Sequence, residues 1–315
     1  MEIDLATVIL NWNAAQDTIR CARQVASWKA VQPAIIVVDN ASTDGSPGII
    51  SRECPHIHLL RESINRGFAG GNNRGIREAL RRGNAPILLL NNDAHIEEKD
   101  VIKLLETLQA HERIGLIGPL LFNAERKERL LAAGSRDPAR HHHSHIRALE
   151  SDKSVQIVEC VPGTVLLVRA AVFRKVGLLD ERYFFASEVV DLCLRAKKQG
   201  YLSAVDTRAR AFHDLDRSSE LRETLHSYYI VRNRFLLIRK FHQASSPLYY
   251  TFWILYGLAL SSKARLKGQR SAARAILMGL LDGVRGRFGG QNQRVLEAIS
   301  NVDRASPPRA RLLVL

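Results

Sequence analysis

The apolar run Ile87-Leu88-Leu89-Leu90 ends directly on Asn91-Asn92-Asp93, two amides and a carboxylate. Hard oxygen donors suit Mg²⁺ or Mn²⁺, and the carboxyl edge of a sheet is where open α/β folds hold ligands. The chemistry on offer is a divalent cation gripping a phosphate. A plain turn is the competing reading, because Asn and Asp are ordinary turn formers.

Two other apolar runs end the same way. Ala6 to Leu10 stops at Asn11, and Ala34 to Val38 stops at Asp39-Asn40, followed by Ala41-Ser42-Thr43-Asp44-Gly45-Ser46. A carboxylate at a strand tip can accept a hydrogen bond from a nucleobase N–H, with hydroxyls and amides in the turn behind it; a capped turn would use the same residues. Asn65 to Gly75 is glycine-rich and leads into a helix, so the backbone around Gly67 could approach a ligand closely. Neither GxGxxG nor a Walker loop is present, which argues against a classical dinucleotide or ATP site.

Such tips need a sheet to align them. The runs 34–38 and 87–90 are continuously apolar, as expected for strands buried on both faces of a parallel sheet. With a short strand at Ile57 to Leu60 and helices at Asp17 to Trp28 and Gly71 to Arg82, four strands alternate with helices, an α/β half of nucleotide-binding type. Further on, the pattern predicts a helix at Asp100 to His111, strands at Gly115 to Phe122 and Val161 to Val168, and a helix at Ser187 to Gly200. A strand at Tyr201 to Ala211 and a long helix at Arg222 to Phe241 follow. His141-His142-His143-Ser144-His145 lies in a polar stretch and reads as a mobile surface loop with no assigned role. The expected division is a domain over 1–241 and a basic helical extension over 242–315.

Composition narrows the classes. The chain has 315 residues, 46% hydrophobic and 25% charged, which is globular and sufficient for a large core. Cys21, Cys54, Cys160 and Cys193 form no CxxC pair, against structural zinc or a disulfide framework. Met1-Glu2-Ile3-Asp4 lacks a signal-peptide pattern, and Leu248 to Leu260 falls short of the roughly 20 residues a spanning helix needs. A cytoplasmic location is expected.

The net charge is +14, of which Lys263 to Leu315 contributes +8 through 11 Lys or Arg against 3 Asp or Glu. An anionic partner follows: acidic lipid, a phosphorylated substrate or nucleic acid. The tail carries no recognised DNA or RNA motif, which disfavours the last. From Pro247 onward Tyr249, Tyr250, Phe252, Trp253 and Tyr256 crowd beside Lys263, Arg265 and Lys267. That composition fits a helix lying on a membrane surface, or equally one packed on the main domain.

Taken together, the motifs resemble family-2 glycosyltransferases of the GT-A fold, and more narrowly the rhamnosyltransferase-like members that build bacterial surface polysaccharides. The resemblance runs from about Ala6 to Lys240. It rests on Val8 to Asn13, Val37 to Asp44, Asn65 to Gly75 and Leu89 to Asp93, then on Pro162-Gly163-Thr164, Val176 to Glu181, Asp191-Leu192-Cys193-Leu194-Arg195 and His213. It implies a nucleotide-sugar donor held by Asn11, Asp39, Asn40, Gly67, Asn91 and Asn92, with Asp39 reading a pyrimidine. It also implies that Asn91-Asn92-Asp93 is a variant DxD motif, Asp93 holding Mg²⁺ or Mn²⁺ with His213 as a further ligand. A core or surface histidine is the other reading of His213.

One position departs from the family. Where its pattern reads Glu-Asp-x-Asp-Leu or Glu-Glu-x-Asp-Leu, this chain has Glu188-Val189-Val190-Asp191-Leu192, so the acid usually credited as base is a valine. Glu188 and Asp191 share a face if the segment is helical, and Asp191 can pair with Arg195 one turn on. The expectation is that Glu188 is the base, its pKa raised by burial, and that Asp191 orients the segment. Arg274, Arg285 and Arg287, with Ile276, Leu277, Leu280 and Leu281, are expected to dock on an anionic bilayer carrying a lipid-linked glycan acceptor. The expected enzyme is thus peripheral at the inner face of the cell membrane. The alternative is a catalytically impaired nucleotide-sugar or glycan binding protein.

Overall fold

The computed structural model describes residues 5–148, 153–214 and 220–304, so Met1 to Asp4 and the end of the basic tail lie outside the described residues. The chain forms two compact units, Met1–Arg217 and Ser218–Leu315.

The first unit opens as β1 (Leu5–Asn11), α1 (Ala15–Ala26), β2 (Pro33–Asp39), α2 (Ser46–Glu53), β3 (His58–Arg61), α3 (Gly67–Arg82) and β4 (Ile87–Asn91). It continues through β5 (Ala94–Ile96), α4 (Glu98–Ala110), β6 (Ile114–Asn123), β7 (Leu130–Ala132), β8 (Val155–Val158), β9 (Val165–Val168), α5 (Ala170–Val176), α6 (Glu188–Lys198) and β10 (Leu202–His213). The sheet order is β3-β2-β1-β4-β9-β6-β10-β5, with β7 on β6 and β8 on β10. β3, β2, β1 and β4 are parallel; β9 runs antiparallel to both β4 and β6.

The continuous apolar runs are explained by two cores, one on each face of this sheet. Ile9, Val37, Leu88 and Leu90 pack with Ile19, Ala22 and Val25 of α1 and with Val101, Leu104 and Leu108 of α4. Val8, Ile36, Val38 and Leu89 pack with Ile76 and Ala79 of α3, Val172 and Phe173 of α5, and Leu192 and Ala196 of α6. α3 begins at Gly67, four residues before the expected Gly71, because the glycine-rich run is already helical. Its glycines let the helix lie close on β1: a Cβ on Gly71 would stand 2.4 Å from the Leu10 side chain, and one on Gly75 2.4 Å from that of Val8. The histidine run is tied back to the unit, since Ser135 bridges both His145 and Cys160.

The second unit is helical: α7 (Glu220–Phe241), α8 (Ser246–Leu266), α9 (Arg270–Arg285) and α10 (Asn292–Arg304). α7, which the sequence reading placed before a boundary at 241/242, packs on α8 and α9 within this unit. Its polar groups are met internally. Tyr228 donates to Asp282 at 2.6 Å and Tyr229 to Asn292 at 2.6 Å, and the buried Arg232 guanidinium lies 4.7 Å from the Tyr229 ring centre. Of the four apolar α9 residues expected to dock, Leu277 and Leu281 are exposed, whereas Ile276 and Leu280 are buried.

Candidate active site

Register brings the tips together. Asn11 lies beside Asp39 and Leu10 beside Asn91, so the ends of β1, β2 and β4 share one edge. There a chain of hydrogen bonds links them: Asn92 Nδ2 donates to Thr18 Oγ1 (3.0 Å), Thr18 Oγ1 to Asn11 Oδ1 (2.7 Å), and Asn11 Nδ2 to Asp39 Oδ1 (2.7 Å). Asn11 also donates to Ser42 Oγ at 3.1 Å, and the Ser42 N–H donates to Asp39 Oδ2 at 3.0 Å. Buried polar groups must be matched in this way or carry a desolvation cost.

The donor-site residues named from the sequence therefore fall into two kinds. Asn11 is fully buried with both ends of its amide engaged, so it aligns Asp39. Asn40 is similarly turned inward, donating to Asn65 Oδ1 and the Gly67 carbonyl and accepting from the Arg66 N–H, each within 3.0 Å. Asn91 and Asn92 are half-buried at the tip itself. Gly67 has φ +69°, and a Cβ there would stand 2.3 Å from the Phe184 carbonyl oxygen. The close approach expected of this glycine is thus made to Phe184 of its own chain.

Thr18, which bridges two of these amides, was missed in the sequence. Its signal was present: Thr18, Ala22 and Val25 share a helix face, so a hydroxyl was being buried with the core. Phe184 carries the edge onward to the start of α6. Its carbonyl accepts from the Ala69 N–H at 3.3 Å, and Phe184, Ala186 and Ser187 all have positive φ just before α6. Non-glycine residues in that region store strain, which collects at functional sites.

Glu188 is the first residue of α6 and is 6% exposed. Its Oε2 is buried without a hydrogen-bond partner. Burial, with a smaller contribution from the Asp191 charge, pushes its carboxyl up to about 7. Asp191 has the opposite surroundings: it accepts from Arg195 Nε at 2.6 Å and from the Tyr183 hydroxyl at 3.2 Å. Arg195 also donates to the carbonyls of Val176 and Leu178, so Asp191 fixes the segment ahead of α6. Val189, at the missing acid's position, faces the apolar core and packs on Gly163, where a Cβ would lie 3.0 Å from its Cγ2. The next residue, Thr164, accepts at its carbonyl from the Asn91 N–H at 3.0 Å, tying the α6 start to the β4 tip.

The raised carboxyl has a stability consequence. The native state holds a proton on Glu188 from its ordinary value of 4.5 to about 7, while the unfolded chain has released it, so stability falls as pH rises through that window. Glu188→Gln removes this loss, worth up to about 3 kcal/mol. The variant should melt with the wild type near pH 4.5 and several degrees above it at pH 8. Thermal unfolding at both pH values checks this, and coincident melting at pH 8 would contradict it.

Asp93 sits in the turn between β4 and β5, where its Oδ1 lies 3.2 Å from His213 Nε2. The meeting is built by strand pairing: His213 is opposite Ala94 in the β5–β10 ladder, and the Asp214 N–H donates to the Asp93 carbonyl at 3.1 Å. Among the described residues no group of three or more His, Cys, Asp or Glu is placed to hold a metal. The Asp93 carboxylate at a strand tip still fits a divalent cation that takes its remaining oxygens from a bound diphosphate and water, the usual arrangement for Mg²⁺, and the His213 imidazole beside it offers one further donor.

The mixed α/β sheet, with its strand tips gathered on one polar edge, is a GT-A-like fold. The chain belongs to glycosyl transferase family 2, whose model matches residues 7–174. It is 27% identical over 245 residues to the low-salt glycan biosynthesis hexosyltransferase Agl10 of Haloferax volcanii, covering 74% of this chain and 75% of that one. It is 26% identical over 274 residues to the N-acetylglucosaminyl-diphospho-decaprenol L-rhamnosyltransferase of Mycobacterium tuberculosis, covering 79% and 88%. Against the dTDP-rhamnosyl transferase RfbF of Shigella flexneri it is 26% identical over 269 residues, covering 81% and 88%. In fold it is similar to the mannosyltransferase PcManGT of Pyrobaculum calidifontis, solved with GDP-Man and Mn²⁺, with TM-score 0.55, 14% identity, and 97% and 81% coverage.

Proposed function

We propose that this chain is an inverting, metal-dependent hexosyltransferase that moves a sugar from a dTDP- or UDP-sugar to a hydroxyl of a lipid-linked or growing glycan. L-rhamnose is the sugar proposed, because two of the relatives are named for it. The observation that carries the reading is Glu188: a buried carboxyl with an unpartnered oxygen, its pKa raised to about 7. That is the state a general base needs near neutral pH.

In the proposed reaction the acceptor oxygen attacks the anomeric carbon as Glu188 takes its proton. The bond from that carbon to the diphosphate breaks, and the electron pair leaves on the diphosphate oxygen. Asp93 and His213 would hold the cation, which when bound neutralises charge developing on that leaving group. Asp39 would accept from the nucleobase, held in place by Asn11 and Ser42.

The impaired-binding alternative drew on Val189. Its support weakens once that side chain faces the core, since the role it vacates has a candidate in the adjacent Glu188.

Donor identity is tested by thermal shift with UDP-, dTDP- and GDP-sugars, with and without Mn²⁺. A ligand at a hundred times its dissociation constant adds about 2.7 kcal/mol. A dTDP- or UDP-sugar should raise the melting temperature only when the cation is present. Equal shifts without the cation, or a response to GDP-sugars alone, would contradict the reading.

A further inference from the structure

The second unit exposes apolar surface that no chemistry of the first unit accounts for. On α8, Leu248, Phe252, Leu255 and Leu266 are 71%, 49%, 63% and 90% exposed. Their spacing of four, three and eleven residues keeps them on one stripe of the helix. The opposite stripe, Trp253, Gly257, Ser261 and Ala264, is buried. α9 repeats the pattern, with Leu277, Leu281 and Val284 exposed and Ala273, Ile276 and Leu280 buried. The helices meet closely at Gly257, where a Cβ would stand 2.6 Å from the Leu280 side chain, so the two outward stripes sit on adjacent elements. Large exposed apolar patches mark interaction surfaces.

Charge says what covers them. Between Ser246 and Arg287 the sequence has seven cations, Lys263, Arg265, Lys267, Arg270, Arg274, Arg285 and Arg287, and one acid, Asp282. All seven cations are exposed. Asp282 is buried, accepting from Tyr228 and paired with Arg294 and with Arg287, which leaves six of the seven cations without this acid. The surface therefore shows leucine, phenylalanine and positive charge, with its single carboxylate withdrawn. A protein partner would need an acidic rim around an apolar groove, whereas an anionic bilayer supplies both features over its whole area. Among the described residues no helix is long and apolar enough to cross a membrane.

We infer that the outward stripes of α8 and α9 form an interfacial surface that lies on an anionic bilayer, with Leu248, Phe252, Leu255, Leu277 and Leu281 entering the acyl boundary and the arginines and lysines binding phosphate headgroups. The assignment departs from the expectation for the tail, since Ile276 and Leu280 belong to the protein core and most of the inserting area comes from α8. It stands on the second unit alone and holds whichever donor the first unit uses.

The test floats the intact chain with vesicles of phosphatidylglycerol and phosphatidylcholine, and with vesicles of phosphatidylcholine alone. The chain should partition to the anionic vesicles, and added salt should weaken this. Leu255→Glu/Leu281→Glu should lower partitioning about tenfold or more, with helicity by circular dichroism unchanged. Lys263→Gln/Arg265→Gln/Lys267→Gln, which leaves the apolar stripe intact, should lose the preference for phosphatidylglycerol. Binding unaltered by either variant would overturn the inference. So would a chain that ignores both vesicles and instead dimerises by light scattering through Leu255, which would make the stripe a contact between copies.

Discussion

Glu188→Gln is expected to lower kcat for sugar transfer by about 10²–10⁴-fold, the usual contribution of a positioned general base, while donor binding stays near the wild-type value. The carboxyl is buried, one of its oxygens has no partner, and burial holds its pKa near 7. Glutamine keeps the shape and removes the proton acceptor. Because the same change should stabilise the fold above pH 7, lost activity cannot be put down to unfolding. Rapid-quench measurement of nucleoside diphosphate release, beside donor binding by calorimetry, separates the two effects. Asp191→Asn should behave differently. It breaks the pairing with Arg195 and Tyr183 and should lower stability together with rate.

The second large effect is expected at Asp93. Asp93→Asn removes the carboxylate from the pair with His213, and with it the charge that a divalent cation would need. Loss of one electrostatic contact to a leaving group costs about 10²–10³-fold in rate. Mn²⁺ binding, followed by electron paramagnetic resonance in the presence of nucleoside diphosphate, should weaken in parallel. If Asp93→Asn bound Mn²⁺ as tightly as the wild type, the cation would have to sit elsewhere.

Much of this site was legible because its positions are governed by burial. Runs such as Val8 to Leu10, Ile35 to Val38 and Leu88 to Leu90 are apolar at every residue, since helices cover both faces of their sheet, and the polar residue ending each run marks the edge. The Asp191–Arg195 pair followed from helical spacing alone. β5, β7 and β8 escaped, being three or four residues long; β5 and β8 are held by β10, far along the chain, and β7 folds back on the end of β6.

Polarity in a sequence also does not say which way an amide faces. Asn11 and Asn92 look equivalent, yet one is buried as scaffold and the other stands half-buried at the tip. The glycines near Gly67 suggested approach to a ligand, whereas their neighbours are Phe184, Leu10 and Val8. On α9 the expected docking set was too broad, taking Ile276 and Leu280 together with Leu277 and Leu281. A step of one residue turns a side chain by about 100°, so adjacent residues cannot share the outward face and of these four only Leu277 and Leu281 lie on it.

The central claim is that Glu188 receives the acceptor's proton, and the pH dependence of kcat/KM, measured with saturating Mn²⁺, tests it most directly. An ionised base is required, so the rate should climb as pH rises and level off above an inflection near 7, the value to which burial moves this carboxyl. A profile flat from pH 5.5 to 8, or one breaking near the ordinary carboxylate value of 4.5, would contradict the assignment.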